Sequence, residues 1–548
     1  MLENSEKITK IIEMLHKSNS HGVAINQHLA NEKHRFNQFS RFFDGILLDF
    51  SRTAIDAGDF ENLMELAGAS GIEALRERMY AGARINFTEH RAVLHFVWRE
   101  KNFSALLCAD EAESLSAAAD RLREIAQALH RGQLPGEAGQ GRIRHLIHVG
   151  IGGSLLGPRL LCEAFPPSRD CPQIHFLSSV DALERERLLK RIDARETAVM
   201  LVSKSFTTSE VLLHANRICQ WQSASLSPEE SGRRLFAVTA ATGKASQWGV
   251  PADHILQMGT WTGGRFSIWS PAGVTAAVSM GPDSFEQFLQ GGASMDRHFR
   301  EAPLPDNLPV ILAMLSIWHR NICGYNVHGL IPYDSRLKGL PGWLQQLEME
   351  SNGKSVNTSG QPVSLDTAPV LIGDCGTDAQ HALFQAFHQG TTVVPLDFIG
   401  VVNPDHEDLE AQQQLLSHML AQATALAVGR DRDQTMKMMR GQGMAGEELE
   451  ALLPHRIMPG NRPSNVILLD DLSPAMLGRL LVLYEHKVFV ESVIWQINAF
   501  DQWGVELGKS LASAIQPALS GKDAAIPEEI PGIEGLLSHI RKRLRCEK

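Results

Sequence analysis

The chain has 548 residues, 43% of them hydrophobic, with 52 Lys and Arg against 63 Asp and Glu, a formal net charge of −11. This length predicts roughly two to four domains, and the acidic balance argues against a nucleic-acid-binding protein, which would need a strong basic field. Seven scattered cysteines without a C-x-x-C motif argue against a disulfide framework or a zinc site and fit a reducing cytosol.

Residues 1–140 are predicted to be mostly helical. The N-terminus is charged and amphipathic and lacks the apolar core of a signal peptide. No apolar run in the chain reaches the roughly 18 residues that a membrane span needs. Residues 110–132 show the hydrophobic period of a helix, and residues 134–141 are predicted to form a loop.

From residue 142 onward, short apolar strands alternate with helices, a pattern that predicts parallel sheets. In the first such region, strands are predicted within residues 143–149, 197–203, 234–240 and 254–259. A second region follows residue 285, with a long helix over 307–324, a strand, turn and helix over 368–390, and strands within 391–402 and 464–471. The last forty residues are predicted to be a terminal arm of helix and loop.

A glycine-rich loop, HVGIGGSLLGP (148–158), follows the first of these strands and opens a helix. Gly150, Gly152 and Gly153 allow a tight turn and close approach to a ligand, Ser154 adds a hydroxyl, and a helix N-terminus attracts anions. Leu155 stands where a dinucleotide fingerprint needs glycine, and no Walker Gly-Lys-Ser/Thr follows. Taken alone, the loop fits a phosphate site and a plain tight turn equally well.

A second loop, SKSFTTSE (203–210), also joins a strand to a helix. It carries a cation, Lys204, and five hydroxyl side chains, namely Ser203, Ser205, Thr207, Thr208 and Ser209. Thr207 and Glu210 have the spacing of a capping box, which needs only one hydroxyl. The remaining hydroxyls and the lysine favour a bound phosphate monoester over a solvated loop.

The segment LPGWLQQLEMESNGK (340–354) is predicted to be a short helix with a stop signal at each end. Trp343, Leu347 and Glu350 share one helical face, and Gln346 lies one turn before Glu350. A carboxylate beside two apolar side chains is partly desolvated, which suits a general base. The alternative is an ordinary glutamate at a helix end.

Three further segments carry candidate side chains, each of which is weak evidence for a functional site when taken alone. His381, Phe384 and His388 share a face of the helix predicted over 376–391, and two histidines without an acidic ligand make a poor metal site. Gln502 and Lys509 share a face in FDQWGVELGKS (500–510), and Arg265 follows two glycines in GGRFSIWS (263–270). A structural histidine and a surface lysine are the ordinary alternatives.

Together these segments resemble the glucose-6-phosphate isomerase (phosphoglucose isomerase) family. The matching stretches lie in the family's order and span nearly the whole chain: INFTEHRAVLH (85–95), HVGIGGSLLGP, SKSFTTSE, GGRFSIWS, LQQLEMESNGK (344–354), GTDAQHALFQAFHQGT (376–391) and YEHKVFVESVIWQINAFDQWGVELGK (484–509). Leu155 departs from the acidic or polar residue common in the family, and Ser205 replaces the usual threonine while keeping its hydroxyl.

The resemblance implies an α/β protein with two SIS-type domains, each a parallel five-stranded sheet flanked by helices. The implied boundaries are a helical N-terminal region (1–115) that packs with the second SIS domain, a first SIS domain (116–285), a second (286–512) and a C-terminal helical arm (513–548). It further implies a cytoplasmic homodimer that interconverts glucose 6-phosphate and fructose 6-phosphate through a cis-enediol, without metal or cofactor, and that binds neither nucleic acid nor membrane.

The resemblance also implies roles for single residues. Glu350 moves the proton between C1 and C2, Arg265 stabilises the enediolate, and His381, donated across the dimer interface, and Lys509 assist ring opening. The implied substrate-binding residues are Gly153, Ser154, Ser203, Lys204, Ser205, Thr208, Gln346 and Gln502.

Two other functions compete with this interpretation. SIS domains also serve as non-catalytic sugar-phosphate sensors, which would keep both phosphate loops but could discard Glu350, His381 and Lys509. A hydrolase with Ser154 as nucleophile is disfavoured because the loop lacks the G-x-S-x-G form.

Overall fold

The computed structural model describes residues 2–18, 22–136, 142–167, 170–520 and 531–544. Most of the predicted loop 134–141, part of the predicted arm 513–548, and Cys546 lie outside these residues. The chain divides into two compact units, Met1–Ala499 and Phe500–Lys548.

Eleven strands lie in the described part of the first unit. They are β1 (Ser40–Phe43), β2 (Ile46–Arg52), β3 (His145–Val149), β4 (Gln173–Leu177), β5 (Thr197–Val202), β6 (Leu235–Thr239), β7 (Ile255–Gln257), β8 (Val327–Tyr333), β9 (Val370–Gly373), β10 (Leu396–Val401) and β11 (Ser464–Leu469). They form two sheets, which confirms the predicted α/β class with parallel sheets between helices.

The five-stranded sheet has the order β4-β3-β5-β6-β7 and is parallel throughout. Every position of β5 is buried, and such continuous apolar runs are typical of parallel strands covered on both faces. The last residue of β3 is in register with Leu201 near the end of β5. The loops that follow these two strands therefore lie side by side.

The six-stranded sheet has the order β1-β2-β11-β10-β8-β9, in which β11, β10, β8 and β9 are parallel to one another. β2 pairs antiparallel with both β1 and β11. The prediction of five parallel strands for this domain is wrong, because the N-terminal region, predicted to be helical, supplies an antiparallel hairpin.

The hairpin turns at Asp44 and Gly45, whose φ angles are 45° and 86°. Two central residues with positive φ between apolar runs favour a tight hairpin turn, and Asp-Gly is a preferred pair for it. A side chain at Gly45 would also press on Met476. The sequence signal was therefore present in the segment FFDGILLDF (42–50).

Helices cover the faces of both sheets in the first unit. They are α1 (Leu2–Lys17), α2 (Ile25–Asn31), α3 (Arg35–Gln38), α4 (Ala57–Ala69), α5 (Ile72–Tyr80), α6 (Val97–Glu100), α7 (Ala109–His130), α8 (Gly153–Ala164), α9 (Ala182–Leu189), α10 (Ser209–Ser223), α11 (Pro228–Gly232), α12 (Thr242–Trp248), α13 (Val274–Met280), α14 (Pro282–Glu301), α15 (Leu308–Ile317), α16 (Leu340–Gln345), α17 (Gly376–Ala382), α18 (Phe384–Gln389), α19 (Leu409–Val428), α20 (Arg432–Gly441), α21 (Gly446–Arg456) and α22 (Pro474–Ile494).

Two helices that the sequence predicts as continuous are interrupted. The one predicted over 307–324 is α15 followed by a π-helical turn, Trp318–Ile322. The one predicted over 376–391 breaks at Leu383 and forms α17 and α18. His381 is exposed while Phe384 is buried, so the predicted common face is wrong.

Helix α22 lies in the centre of the first unit and is buried from Leu480 to Ile494. The Ser473 hydroxyl caps its N-terminus and Pro474 occupies its first turn, a combination that favours helix initiation. Four of its buried side chains are ionisable on one short stretch, Tyr484, Glu485, His486 and Lys487. Such groups are rarely buried without partners, and two clusters of buried charges form around them.

The second unit contains α23 (Glu506–Leu519) and α24 (Glu534–Arg543). Arg541 on α24 donates to the Ala518 carbonyl on α23 at 2.6 Å, and Ala518 and Leu537 are buried. None of the described helices of the chain is long and apolar enough to cross a membrane.

Candidate active site

Glu350 ends a π-helical turn, Gln346–Glu350, that continues directly from α16. Trp343 and Leu347 are buried, whereas the Glu350 side chain keeps 19% of its surface exposed. The turn stops at Gly353, where a side chain would clash with the Met349 carbonyl. Glu350 therefore lies at the edge of the core, where it is anchored and still accessible.

The Glu350 carboxylate faces a buried cation. Its Oε2 lies 3.5 Å from Nη1 of Arg265 and accepts a 2.9 Å hydrogen bond from Nε2 of Gln346. Arg265 is itself fixed, because its Nε donates to the Ser351 hydroxyl at 2.6 Å and its Nη2 donates to the Ala499 carbonyl. A guanidinium held in this way keeps its position when charge develops beside it.

The glycine-rich loop packs against the segment that carries Arg265. Gly152 has a φ of +59°, and α8 begins at the next residue. A side chain at Gly153 would clash with the Gly264 carbonyl, and one at Gly152 would lie 3.1 Å from Nε2 of Gln346. The glycines thus permit close approach, and they bring the N-terminus of α8 next to the Glu350 group.

A buried histidine behind this loop fixes its shape. His148, on β3, lies 2.7 Å from the Ser154 carbonyl through Nε2 and 2.8 Å from the Thr275 hydroxyl through Nδ1. Burial lowers the pKa of His148 to about 4, so the ring is neutral at physiological pH. Since a carbonyl only accepts, Nε2 carries the proton and donates to Ser154, and Nδ1 accepts from Thr275.

The hydroxyl-rich loop follows β5 at the same edge of the sheet. The buried Ser203 hydroxyl lies 3.0 Å from that of Thr208, and the Ser205 hydroxyl lies 2.8 Å from that of Thr207. Between them, Phe206 is buried with a φ of +50°. A non-glycine residue in this left-handed region is uncommon and often marks a functional site.

The predicted capping box in this loop is wrong. The residue before α10 is Thr208, one position later than expected, and its side chain makes no capping bond. The Glu210 carboxylate instead accepts a 2.8 Å bond from the Ser209 hydroxyl. The hydroxyl of Thr208 therefore does not occupy the helix N–H groups, which keeps them suited to an anion.

Lys204, in the hydroxyl-rich loop, interacts electrostatically with two arginines and one glutamate. Burial lowers its pKa to about 8, and the positive charges of Arg91 and Arg265 act in the same direction, against Glu89. Its backbone carbonyl accepts a 3.1 Å bond from the Thr239 hydroxyl. Lys204, Arg91 and Arg265 thus produce one positive field, which attracts a dianion and holds a lysine close to its titration point.

This geometry agrees with three comparisons with known proteins. Residues 49–530 match the phosphoglucose isomerase family. The chain belongs to this family. It is 44% identical to glucose-6-phosphate isomerase of Cereibacter sphaeroides over 497 residues, covering 90% of this chain and 92% of that one, and 42% identical to the enzyme of the same name from Xanthobacter autotrophicus over 509 residues, covering 92% and 93%.

Solved structures resemble this phosphoglucose isomerase family member along most of its length. The crystal structure of a glucose-6-phosphate isomerase from Chlamydia trachomatis has a TM-score of 0.79 and 31% identity, covering 98% of both chains. A hypothetical protein, TT0462, from Thermus thermophilus has a TM-score of 0.63 and 25% identity, covering 85% of this chain and 99% of that one.

Three candidate residues of this family member are described separately, because one is exposed in the first unit and two belong to the second unit. His381, at the end of α17, is exposed, and no hydrogen bond or ion pair joins it to Glu350 in the part of the chain that the structure describes. Gln502 and Lys509 belong to the second unit, where Gln502 is half-buried and Lys509 is exposed. Their positions in the site stay predictions.

Sequence reasoning quoted the segment 85–95 but assigned none of its residues to the site. Asn86 and Thr88 both accept from the Asn498 side chain, at 2.9 and 2.8 Å, and the Asn498 carbonyl accepts from Nζ of Lys354 at 3.0 Å. Since Lys354 also donates to the Ser351 carbonyl at 2.8 Å, this segment supports the end of the turn that carries Glu350. Its signal was the family motif alone, because its partners lie hundreds of residues away.

Proposed function

We propose that the chain interconverts glucose 6-phosphate and fructose 6-phosphate through a cis-enediolate, as a cytoplasmic homodimeric enzyme of glycolysis and gluconeogenesis. The observation that carries the proposal is the Glu350 carboxylate 3.5 Å from the fixed Arg265 guanidinium, beside a glycine-rich helix N-terminus. An aldose–ketose shift needs a base, a cation for the developing oxyanion and a distant grip on the phosphate.

Glu350 is the general base in this proposal. One carboxylate can remove the proton at one carbon and return it to its neighbour, because both carbons of a cis-enediolate present the proton on the same side. Gln346 holds Oε2 in place at 2.9 Å. Arg265 stabilises the enediolate as it forms, and one preorganised contact of this kind is typically worth about 3–4 kcal/mol.

The two loops hold the phosphate. The proposed ligands are Gly153 and Ser154 at the start of α8, and Ser203, Lys204, Ser205 and Thr208 in the second loop. Hydrogen bonds within the pairs Ser203–Thr208 and Ser205–Thr207 orient these hydroxyls. Phosphate binding at a distance from the reacting carbons contributes energy that positions C1 and C2 against Glu350.

Ring opening requires a further acid and base, since sugars in solution are mostly cyclic. We assign these roles to His381 and Lys509, with Gln502 positioning the sugar. The exposure of His381 is compatible with its donation to the site of a partner subunit in a homodimer. Substrate is a small sugar phosphate, and no role for nucleic acid, membrane, metal or cofactor is proposed.

The competing function is a non-catalytic sugar-phosphate sensor. A sensor has no use for a base held against a buried arginine, and the curated relatives are named as isomerases over most of this chain. The isomerase is therefore favoured.

A coupled isomerase assay of the purified protein tests the proposal. With EDTA present, we expect conversion of glucose 6-phosphate to fructose 6-phosphate, and a parallel assay on mannose 6-phosphate examines the epimer. Tight binding of fructose 6-phosphate without any conversion would instead identify a sensor.

A further inference from the structure

Directly behind Glu350 lies a cluster of buried charges that the reaction itself does not use. Nζ of Lys487 on α22 contacts Oε2 of Glu348 at 2.9 Å and Oε1 of Glu491 at 2.6 Å. Nδ2 of Asn352 lies 3.2 Å from an oxygen of each carboxyl group and 3.1 Å from the Val488 carbonyl. We call Lys487, Glu348, Glu491 and Asn352 the lysine cluster.

The lysine cluster is attached to the catalytic turn on both sides of Glu350. Glu348 precedes the base by two residues and Asn352 follows it by two, and both are fully buried against α22. Ser351, between the base and Asn352, receives the Arg265 hydrogen bond. Because α22 is buried from Leu480 to Ile494, the turn is fastened to a rigid support, and π-helical turns of this kind are frequent at functional sites.

The charge count of the lysine cluster is unbalanced. Two carboxyl groups share one cation, all of them in the core, where an unpaired negative charge is costly. Burial and the neighbouring Glu348 carboxylate raise the pKa of Glu491 to about 8. One proton shared by the two carboxyl groups balances the charge and completes the hydrogen bonds.

Other ionisable groups approach the cluster from β10. Asp397 interacts electrostatically with Lys487, and its carboxylate accepts from Tyr484 at 3.1 Å and from Asn465 at 2.8 Å and lies 3.2 Å from Nε2 of His328. These partners satisfy Asp397, so the proton of the cluster remains with Glu348 and Glu491.

We propose that the lysine cluster is a positioning device that holds the catalytic turn in place through one proton trapped between Glu348 and Glu491. Loss of that proton leaves a net negative charge in the core and loosens the turn. Glu350 then no longer faces Arg265 at its working distance. The expected effect on kcat rests on the proposed function. The trapped proton itself does not depend on that function.

Glu491→Gln is the decisive variant, because a neutral amide has the shape of the protonated carboxyl and cannot lose a proton. We expect its kcat at pH 7 to stay within about twofold of the wild type, since the hydrogen bonds persist. We also expect the fall of wild-type kcat as pH rises through about 8 to be absent from the variant. If kcat of the variant falls at alkaline pH as it does in the wild type, the trapped proton is overturned.

Lys487→Gln tests the positioning role. Misplacement of a base by about 1 Å costs up to roughly 100-fold in rate, so we expect kcat to fall roughly 10- to 100-fold with KM within twofold. Ser492→Ala, which removes a buried hydrogen bond on the same helix but outside the cluster, should leave kcat unchanged in folded protein. Unchanged kcat in folded Lys487→Gln protein would overturn the positioning role.

Urea unfolding without substrate separates this inference from the proposed function. The pKa of Glu491 is raised in the folded state, so the wild type loses stability relative to Glu491→Gln as pH rises from about 4.5 to 8. The urea concentration at the unfolding midpoint should therefore increase for the variant, relative to the wild type, as the pH rises across this range. A constant gap would contradict the trapped proton whether or not the protein is an isomerase.

Discussion

Around Glu350, charged side chains from helices meet in fixed and largely buried contacts, whereas the loops after β3 and β5 offer hydroxyls and helix N–H groups close to solvent. We call the first region, Glu350 with Gln346, Arg265 and Ser351, the proton-transfer end. The second, residues 152–154 with 203–208, is the phosphate end. Arg265 contacts Glu350, Ser351 and the Ala499 carbonyl, while Ser205 is exposed and bonded to its neighbour in the loop.

The difference follows from the chemistry proposed for each end. Proton transfer depends on direction and charge at the scale of tenths of an ångström, so its groups are supported by the core and by the lysine cluster behind it. A phosphate is large, symmetric and fully charged, so several weak donors on two loops suffice. Changes at the proton-transfer end should therefore act on kcat, and changes at the phosphate end should act on KM.

Glu350→Gln should give the largest effect. The amide keeps the shape and the contact with Gln346 but cannot take a proton, and a general base typically contributes about 10²- to 10⁴-fold. We expect a loss of kcat of this size with fructose 6-phosphate binding retained, measured by stopped assay and by calorimetry. Glu410→Gln, an exposed change on α19, is the matched control. Retained turnover in the first variant would remove Glu350 from its role.

Arg265→Gln should be the next most severe change. It removes the cation opposite Glu350 and the hydrogen bond to Ser351, and loss of one such preorganised donor costs about 10²- to 10³-fold in kcat. Steady-state kinetics on protein shown to be folded by circular dichroism provide the measurement. Arg159→Gln, an exposed change on α8, should have no effect. A change confined to KM would place Arg265 at the phosphate end.

Sequence patterns point to both ends of the proposed site because each has a local signal. Clustered glycines predict the first loop, clustered hydroxyls the second, and the apolar face of the helix around Trp343 points to Glu350. Four strands of the five-stranded sheet follow from their apolar runs in the same way, whereas the edge strand β4, which is only partly buried, was missed. Strand β8, however, was missed: it contains Pro332 and Gly329, which argue against a central strand, yet it lies between β9 and β10.

The contacts that support the site could not be predicted from the sequence, because their partners are far apart in the chain. His148 bonds Thr275, 127 positions away, and Glu348 meets Lys487, 139 positions away. The hydrophobic pattern of α22 shows only that the helix is buried. It does not show which buried acidic side chain pairs with which basic one. The Asp44–Gly45 hairpin is the opposite case, because its local signal could have predicted it.

Lys204→Ala tests the phosphate end. Loss of a hydrogen bond to a charged group costs about 1.5–3 kcal/mol, so we expect KM to rise roughly 10- to 100-fold with kcat little changed. Because the pKa of Lys204 is about 8, the wild-type KM should rise as pH increases through 8, and this dependence should vanish in the variant. Lys244→Ala, an exposed change on α12, should keep both KM and its pH dependence. A fall in kcat at constant KM would contradict the assignment of KM effects to the phosphate end and kcat effects to the proton-transfer end.

His148→Asn should give the smallest change in activity, since the amide can still accept from Thr275 and loses only the hydrogen bond to the Ser154 carbonyl. We expect KM to rise only a few-fold. The folded-state pKa of His148 is about 4, below the unfolded value of 6.5, so the stabilisation by the neutral ring is complete above pH 6.5 and is lost as pH falls toward 4. The wild type should therefore lose its stability advantage over the variant across this acid range, as measured by urea unfolding. A stability gap that stayed constant from pH 7 to 4 would mean that the ring takes up a proton as readily in the folded protein as in the unfolded chain, and that the loop behind the phosphate end is held by other contacts.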